Sequence, residues 1–163
     1  MQFEIAREAL IKPLQLVTGV VERRQTLPVL SNVLLSLDKK QLSLTGTDLE
    51  VELTGAVEVD SSSRDGEITV PARKLMDICK SLPDSASLKI ELDEDKLKIQ
   101  SGRSRFSLST LPATDFPGVE ESSGTLEFTA SKTLLKTMLH NTNFAMAQQD
   151  VRYYLNGMLI EVS

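Results

Sequence analysis

Three carboxylates at alternate positions, Asp48, Glu50 and Glu52, are the side chains of this sequence best spaced for chemistry. Carboxylate oxygens are the ligands that Mg²⁺ prefers, so the three could in principle hold a metal ion and support a metal enzyme. Alternate acids are also typical of the solvent face of a half-exposed strand. We favour the strand, and the sequence therefore predicts neither a metal site nor a cofactor.

The sequence contains too few residues of the right types for other common catalytic sites. The chain holds one histidine and one cysteine, too few for a zinc site or for Ser-His and Cys-His mechanisms of the usual kind. His140 shares a polar helical face with two lysines, as a surface residue would, and Cys79 lies on the apolar stripe of a helix, as a buried thiol would. No glycine-rich phosphate loop occurs. We therefore expect a protein that is not an enzyme.

Charge is distributed unevenly over the predicted elements. Helices predicted at 7–20, 71–82 and 130–142 contain seven Lys and Arg residues but only two acids, a net charge of +5. The rest of the chain contains 11 basic and 21 acidic residues, a net charge of −10. Basic helices on an acidic body imply one positive surface and one negative surface. The alternative is that these charged helix faces are simply solvated.

The chain repeats its pattern of apolar residues. An offset of 65 keeps every apolar position apolar, and a second offset of 124 or 125 relates the beginning of the chain to residues 128–160. The first offset pairs Phe3, Ile5, Leu10, Leu14 and Val17 with Ile68, Val70, Leu75, Cys79 and Leu82. Each unit reads as a short strand, an amphipathic helix and further strands.

These elements predict an α+β fold in which basic helices pack on antiparallel sheets. Strands are predicted at 1–6, 32–37, 41–45, 49–59, 67–70, 87–92, 96–101, 105–111, 125–129 and 156–160, with a flexible turn at 61–66. Leu49, Val51 and Leu53 are expected to face inward. The inward face of the third helix is expected to consist of Leu134, Leu135, Met138 and Leu139.

The predicted domains follow the repeat. Residues 1–120 form a first domain of two half-repeats, about 1–65 and 66–120, and residues 121–124 form an acidic linker. Residues 125–163 begin a second domain but are too few to bury a core of their own. No run approaches the ~20 apolar residues of a membrane helix, and no signal peptide is recognisable. We expect a cytoplasmic protein with no membrane partner.

Four stretches resemble the sliding clamp family, the beta subunits of bacterial DNA polymerase III. They are LSLTGTDLE at 42–50, VPARK at 70–74, SGRSRFSLSTLP at 101–112 and QDVRYYLNGM at 149–158. The resemblance implies a homodimeric ring of three similar domains per subunit that encircles double-stranded DNA without reading its sequence. Helices would line the hole, and the replicative DNA polymerase and the clamp loader would be partners. The chain would be the N-terminal part of such a clamp.

The resemblance also implies roles for individual residues. DNA contacts are expected at Arg24, Arg73, Gln149, Tyr153 and Tyr154. A subunit interface is expected at Lys74, Arg103, Arg105, Phe106 and Leu108. Part of a cleft for partner peptides is expected at Arg152 and Leu155.

Two alternatives remain open for these residues. The tyrosines could instead pack at the edge of a sheet. Alternation places Phe106 and Leu108 on one face of a strand but does not decide between the core and an interface. The leading functional hypothesis is a processivity factor in DNA replication. The alternative to a processivity factor, for the function of the whole protein, is a protein-interaction module that does not bind DNA.

Overall fold

The computed structural model describes residues 1–21, 27–118 and 128–161. The chain divides into two compact units, Met1–Glu120 and Glu121–Ser163. Among the described residues, no helix combines the length and the apolar character that crossing a membrane requires.

Unit 1 consists of two similar halves, and each half contains a strand, a helix and then further strands. The first half consists of β1 (Gln2–Ala6), α1 (Arg7–Val17), β2 (Asn32–Asp38), β3 (Gln41–Thr47), β4 (Glu52–Glu58) and β5 (Ser61–Arg64). The second half consists of β6 (Gly66–Pro71), α2 (Ala72–Ser81), β7 (Ser87–Asp93), β8 (Lys96–Ser101) and β9 (Ser104–Ser109). Short 3-10 helices lie at Pro28–Ser31 and Ala113–Asp115. Because α1 and α2 each follow their strand directly, 65 residues apart, the predicted internal repeat is confirmed.

Two antiparallel sheets interlock the halves. The five-stranded sheet has the order β5-β1-β7-β8-β9, and the four-stranded sheet has the order β4-β3-β2-β6. In each sheet the first strand of one half pairs with a strand of the other half, β1 with β7 and β6 with β2. Neither half can therefore complete a sheet without the other. The prediction of an α+β fold with antiparallel sheets is confirmed.

The core of unit 1 forms between the helices and the inner faces of the sheets. Leu10, Leu14 and Val17 are the buried side chains of α1. The buried face of α2 consists of Ala72, Leu75, Met76 and Cys79. α1 packs on β1, β3 and β4, whereas α2 packs on β2, β6 and β9. Each fully buried Leu contributes roughly 1.5–3 kcal/mol relative to an exposed one, so these two stripes hold the helices in place.

Two glycines allow α1 to lie very close to the four-stranded sheet. A Cβ atom on Gly55 would lie 2.8 Å from the Cβ atom of Pro13, and one on Gly46 would lie 2.7 Å from the carbonyl oxygen of Val17. Pro13 lies inside α1, where it donates no backbone hydrogen bond. The missing side chains at positions 46 and 55 therefore set the distance between the helix and the sheet.

The strand predicted at 49–59 begins later than expected. The Asp48 carboxylate accepts hydrogen bonds from the backbone N–H groups of Glu50 and Val51, at 2.9 and 2.7 Å, and closes a turn. Leu49 has a φ of 79° in this turn. As a result Leu49 and Val51 are exposed by 56% and 47%, and the prediction that they face inward is wrong. Leu53 does pack against the core, as predicted.

The prediction of a flexible turn at 61–66 is also wrong. Residues Ser61–Arg64 form the edge strand β5, which pairs with β1 through Ser61 opposite Glu4 and Ser62 opposite Phe3. The sequence is polar because an edge strand can expose its side chains while its backbone bonds to a neighbour. Ser61–Arg64 forms a strand because the edge of β1 is available for pairing, and the local composition of the segment does not reveal that edge.

Unit 2 contains α3 (Lys132–Asn143) and a 3-10 helix at Tyr153–Asn156. The strand predicted at 156–160 is absent, and residues 128 and 129 are not in a strand. The remainder of the strand predicted at 125–129, and the linker predicted at 121–124, lie outside the described residues.

The apolar face of α3 is not buried. Leu134, Leu135, Met138 and Leu139 are exposed by 37% to 59%, so the prediction that they face a core is wrong for this chain. A helix buries its apolar stripe only against another layer. The described part of unit 2 contains no strand that could supply that layer.

Candidate nucleic-acid interface

A shallow basic cleft lies between the end of α1 and the outer side of α2. Thr18, Arg73, Met76, Asp77 and Lys80 line it, and its volume is about 310 Å³. Arg73 lies in the first turn of α2, and its Nη2 atom donates to the carbonyl oxygen of Val21 at 3.4 Å. A carbonyl oxygen orients the guanidinium without neutralising it. The cleft can therefore offer positive charge to an anionic ligand.

Further cations of the helices are free of carboxylates. Lys12, Lys74 and Lys80 are exposed, and none forms an ion pair with an acid in the described part of the chain. Exposed acids occur on the strands instead, including Glu4, Glu58 and Glu67. The charge separation predicted from the sequence is found in part: the strands of the four-stranded sheet carry acids and no Lys or Arg, whereas the strands of the five-stranded sheet carry five cations and three acids.

The predicted DNA contacts of unit 2 lie on one closed loop, residues 147–156. The Ala147 N–H donates to the Leu155 carbonyl at 3.0 Å, and the Leu155 N–H donates to the Arg152 carbonyl at 2.9 Å. Gln149 is exposed and has a left-handed φ of 57°. Tyr153 and Tyr154 are exposed by 83% and 69%, with ring centroids 6.1 Å apart in an edge-to-face arrangement.

The structure thus brings Gln149, Tyr153 and Tyr154 together on a short segment. No strand of the described part of unit 2 is present for the tyrosines to pack against. Arg24, the remaining predicted DNA contact, lies outside the described residues.

Arg152 and Leu155, the predicted cleft residues, belong to the same loop. The Arg152 guanidinium pairs with both oxygens of the Asp150 carboxylate, at 3.1 and 3.0 Å. This ion pair, with the backbone N–H of Arg152, holds the pKa of Asp150 below its usual range, and it raises the pKa of Arg152. Leu155 is exposed by 37%.

β9 forms an edge of the five-stranded sheet, as expected for a strand that could meet another subunit. Phe106 lies opposite Ile99 and Leu108 lies opposite Leu97, so both side chains face the core side of the sheet. Leu108 is only 7% exposed and belongs to the core, which answers for this residue the question that alternation left open. Its position two pairs further from the hairpin turn places it over the core, whereas Phe106 is half-buried.

The basic residues predicted around this edge are exposed. They are Lys74, Arg103 and Arg105. Arg105 also borders a groove of about 460 Å³ on the sheet, which it shares with Lys89, Glu91, Lys98, Gln100 and Phe106. This groove lies on the face of the sheet that is opposite to the core, and it is lined mainly by polar and charged side chains.

The carboxylate candidates of the sequence form a turn. Hydrogen bonds from backbone N–H groups, chiefly that of Val51, lower the pKa of Asp48. Among the described residues, no group of three His, Cys, Asp or Glu side chains is arranged to hold a metal ion. His140 is exposed on α3.

Sequence reasoning missed Asp150 and Asn156. The Asn156 amide bonds to both the backbone N–H and the backbone carbonyl of Asp150, at 3.0 and 3.1 Å. Asp and Asn are typical of segments whose side chains bond to nearby backbone, and this signal could have identified them.

Residues 1–120 match the family described as DNA polymerase III beta subunit, N-terminal domain. The chain belongs to this family. The resemblance found in the sequence is confirmed at this level, and so is the clamp-type fold, because solved structures of beta subunits superpose on nearly the whole chain.

Relatives in the beta subunit family are similar over the full length of this chain. It is 67% identical over 163 residues to the beta sliding clamp of Pseudomonas putida, and 66% identical to that of Pseudomonas aeruginosa. A crystal structure of the Pseudomonas aeruginosa sliding clamp bound to griselimycin gives a TM-score of 0.95 at 66% identity. That alignment covers 99% of this chain and 44% of the other. The chain likewise spans 44% of the length of both curated relatives.

Proposed function

We propose that this chain provides the first domain, and the opening of the second, of a sliding clamp that encircles duplex DNA and tethers the replicative polymerase. Membership of the beta subunit family supports the proposal. The observation that carries it is a set of exposed cations on the helices of unit 1, Lys12, Arg73 and Lys80, which form no ion pair among the described residues. A clamp of this kind acts in the cytoplasm and catalyses no reaction.

The proposed contacts suit a protein that slides. Cations that meet phosphates position a protein on DNA but carry no sequence information. Arg73 and Arg24 would supply such contacts, and Gln149, Tyr153 and Tyr154 would add uncharged ones. Such contacts let the protein slide along the duplex, because phosphate binding is independent of sequence and is equally favourable at each position.

We further propose that β9 is the edge that joins a second subunit in the homodimer. An edge strand presents unpaired backbone groups, and Phe106 offers a half-buried aromatic side chain beside them. Lys74, Arg103 and Arg105 would meet acids of the partner subunit. Leu108 supports the strand from below and is assigned to the core.

Arg152 and Leu155 are proposed as one wall of a cleft for peptide segments of the polymerase and the clamp loader. Leu155 retains accessible apolar surface, and Arg152 keeps part of its side chain exposed although its guanidinium is paired. The remainder of the cleft would come from sequence beyond this chain.

A topological assay tests the central proposal. In a chimera, residues 1–163 replace the matching part of the Pseudomonas aeruginosa beta sliding clamp. Loaded on closed circular DNA, the chimera should remain bound at moderate salt, and it should be released when the DNA is linearised, because a ring slides off an open end.

Substitutions in the chimera separate DNA binding by the helices from general charge effects. Arg73→Gln with Lys80→Gln should flatten the dependence of binding on salt by up to about 0.9 in log–log slope for each phosphate that the variant no longer neutralises. Lys96→Gln, on a strand, is the control and should leave the slope unchanged. Equal retention on circular and linear DNA would refute encirclement, and no retention on either would favour an interaction module.

A further inference from the structure

Hydrogen bonds in the loop 147–156 converge on one residue, Asp150. Its carboxylate accepts the backbone N–H of Arg152 at 2.8 Å and two guanidinium N–H groups of the same residue at 3.1 and 3.0 Å. Its own backbone N–H and carbonyl bond to the Asn156 amide. The Asp150 carboxylate therefore connects the beginning of the loop to its middle, and the Asn156 side chain connects the backbone of residue 150 to the end of the loop.

This arrangement differs from an ordinary surface ion pair. A single exposed Lys or Arg pair with a carboxylate contributes little, whereas a two-pronged Arg–carboxylate pair with additional backbone bonds fixes geometry. The loop also contains Gln149 in a left-handed conformation, which non-glycine residues adopt only where surrounding contacts hold them. The bonds that could hold it begin at the next residue, Asp150.

The charge balance of the loop also indicates that the pairing of Arg152 with Asp150 has a role in the loop. Asp150 neutralises Arg152 within the loop, and the residues that project from it, Gln149, Tyr153 and Tyr154, are uncharged. A surface of this kind can meet a phosphate backbone without displacing counterions.

We propose that the Asp150 carboxylate is a positioning group of this loop. It holds Arg152, while the Asn156 amide holds the backbone of residue 150, so that Gln149, Tyr153 and Tyr154 are presented together and Arg152 is kept from acting as a free cation. The ligand that these side chains meet is duplex DNA, and in this respect the inference rests on the proposed function.

The tyrosines provide a spectroscopic test in the 163-residue chain. The chain contains two tyrosines and no tryptophan, so the tyrosine band of its near-ultraviolet circular dichroism comes from Tyr153 and Tyr154 alone. This band requires fixed side-chain packing. Asp150→Asn should remove most of the band while leaving the far-ultraviolet spectrum unchanged. Amides in the loop should exchange with solvent about tenfold faster.

A matched control is available in unit 1. Asp93→Asn makes the same change of charge and breaks the exposed pair between Asp93 and Lys98, so it should leave the tyrosine band intact. Arg152→Ala should mimic Asp150→Asn, and the double variant should be no worse than either single one, because both remove the same interaction.

The outcomes are distinguishable from those of the DNA assay. A wild-type tyrosine band in Asp150→Asn, with unchanged amide exchange, would overturn the positioning role. Additive effects of the two substitutions would overturn it as well, since the residues would then act independently. Failure of the chimera to be retained on circular DNA would count against the proposed function, while the comparison of tyrosine bands, made without DNA, would still decide the role of Asp150.

Discussion

Cys79 illustrates how position in the fold changes the chemistry of one residue. Its side chain is fully buried on α2, and its carbonyl oxygen accepts a hydrogen bond from Arg7 Nε at 2.8 Å. Burial raises the pKa of the thiol to about 11, against an opposing effect of the nearby Arg7 charge. The thiolate is the reactive form, so this cysteine is inert in the folded protein.

Stability at high pH should depend on this thiol. Because the folded-state pKa lies above the ordinary value of 9.0, the folded state retains its proton while the unfolded state loses it. The contribution is complete below pH 9 and should disappear as pH rises toward 11, by up to roughly 3 kcal/mol at 1.36 kcal/mol per pKa unit.

Urea denaturation at several pH values measures this effect. Cys79→Ala cannot ionise, so the difference in unfolding free energy between wild type and variant should narrow from pH 8 to pH 11. Parallel profiles for the two proteins would show that the thiol titrates normally.

At the scale of elements, the distance between α1 and the four-stranded sheet depends on Gly55. A methyl group there would meet Pro13, whose ring cannot move aside as a flexible side chain would. Gly55→Ala should therefore destabilise unit 1 by about 1–3 kcal/mol, although alanine is intrinsically better than glycine in a strand.

Gly118→Ala is the matched control. A Cβ atom at Gly118 has nothing within 4 Å, so this change should be neutral or slightly stabilising. Denaturation midpoints compare the two variants. Equal midpoints would mean that α1 can shift away from the sheet without loss of packing.

At the scale of the whole molecule, β9 contains one residue that stabilises the fold and another that is proposed to join subunits. Leu108 is buried against the core, and Phe106, two residues earlier, retains accessible surface at the edge of the sheet. Leu108→Ala should destabilise unit 1 by about 2–5 kcal/mol, because it leaves a cavity. Phe106→Ala should weaken subunit association more than it weakens folding.

Sedimentation of the chimera tests this division. Phe106→Ala should give a folded species of half the mass, since burial of an aromatic side chain at each interface contributes roughly 1.5–3 kcal/mol. Leu49→Ala, which alters an exposed apolar residue on a turn, should remain dimeric and is the control. A Phe106→Ala variant that unfolds instead would place this residue in the core with Leu108.

The sequence determined the elements whose cause is local. Periodic apolar residues established the positions of α1 and α2, and the offset of 65 between equivalent residues predicted the duplicated architecture. The excess of basic residues on helices predicted the exposed cations of α1 and α2. These features depend on residues close together in the chain, so periodicity and composition were enough to find them.

Only the tertiary structure decided which surfaces are covered. The free edge of β1 makes a strand of the polar segment Ser61–Arg64, and the core beneath β9 buries Leu108 while leaving part of Phe106 accessible. The same rule explains α3, whose apolar face meets no described layer, and Asp150, whose partners are drawn together by the closure of its loop. Burial and pairing depend on segments distant in sequence, and alternation along one segment carries no information about them.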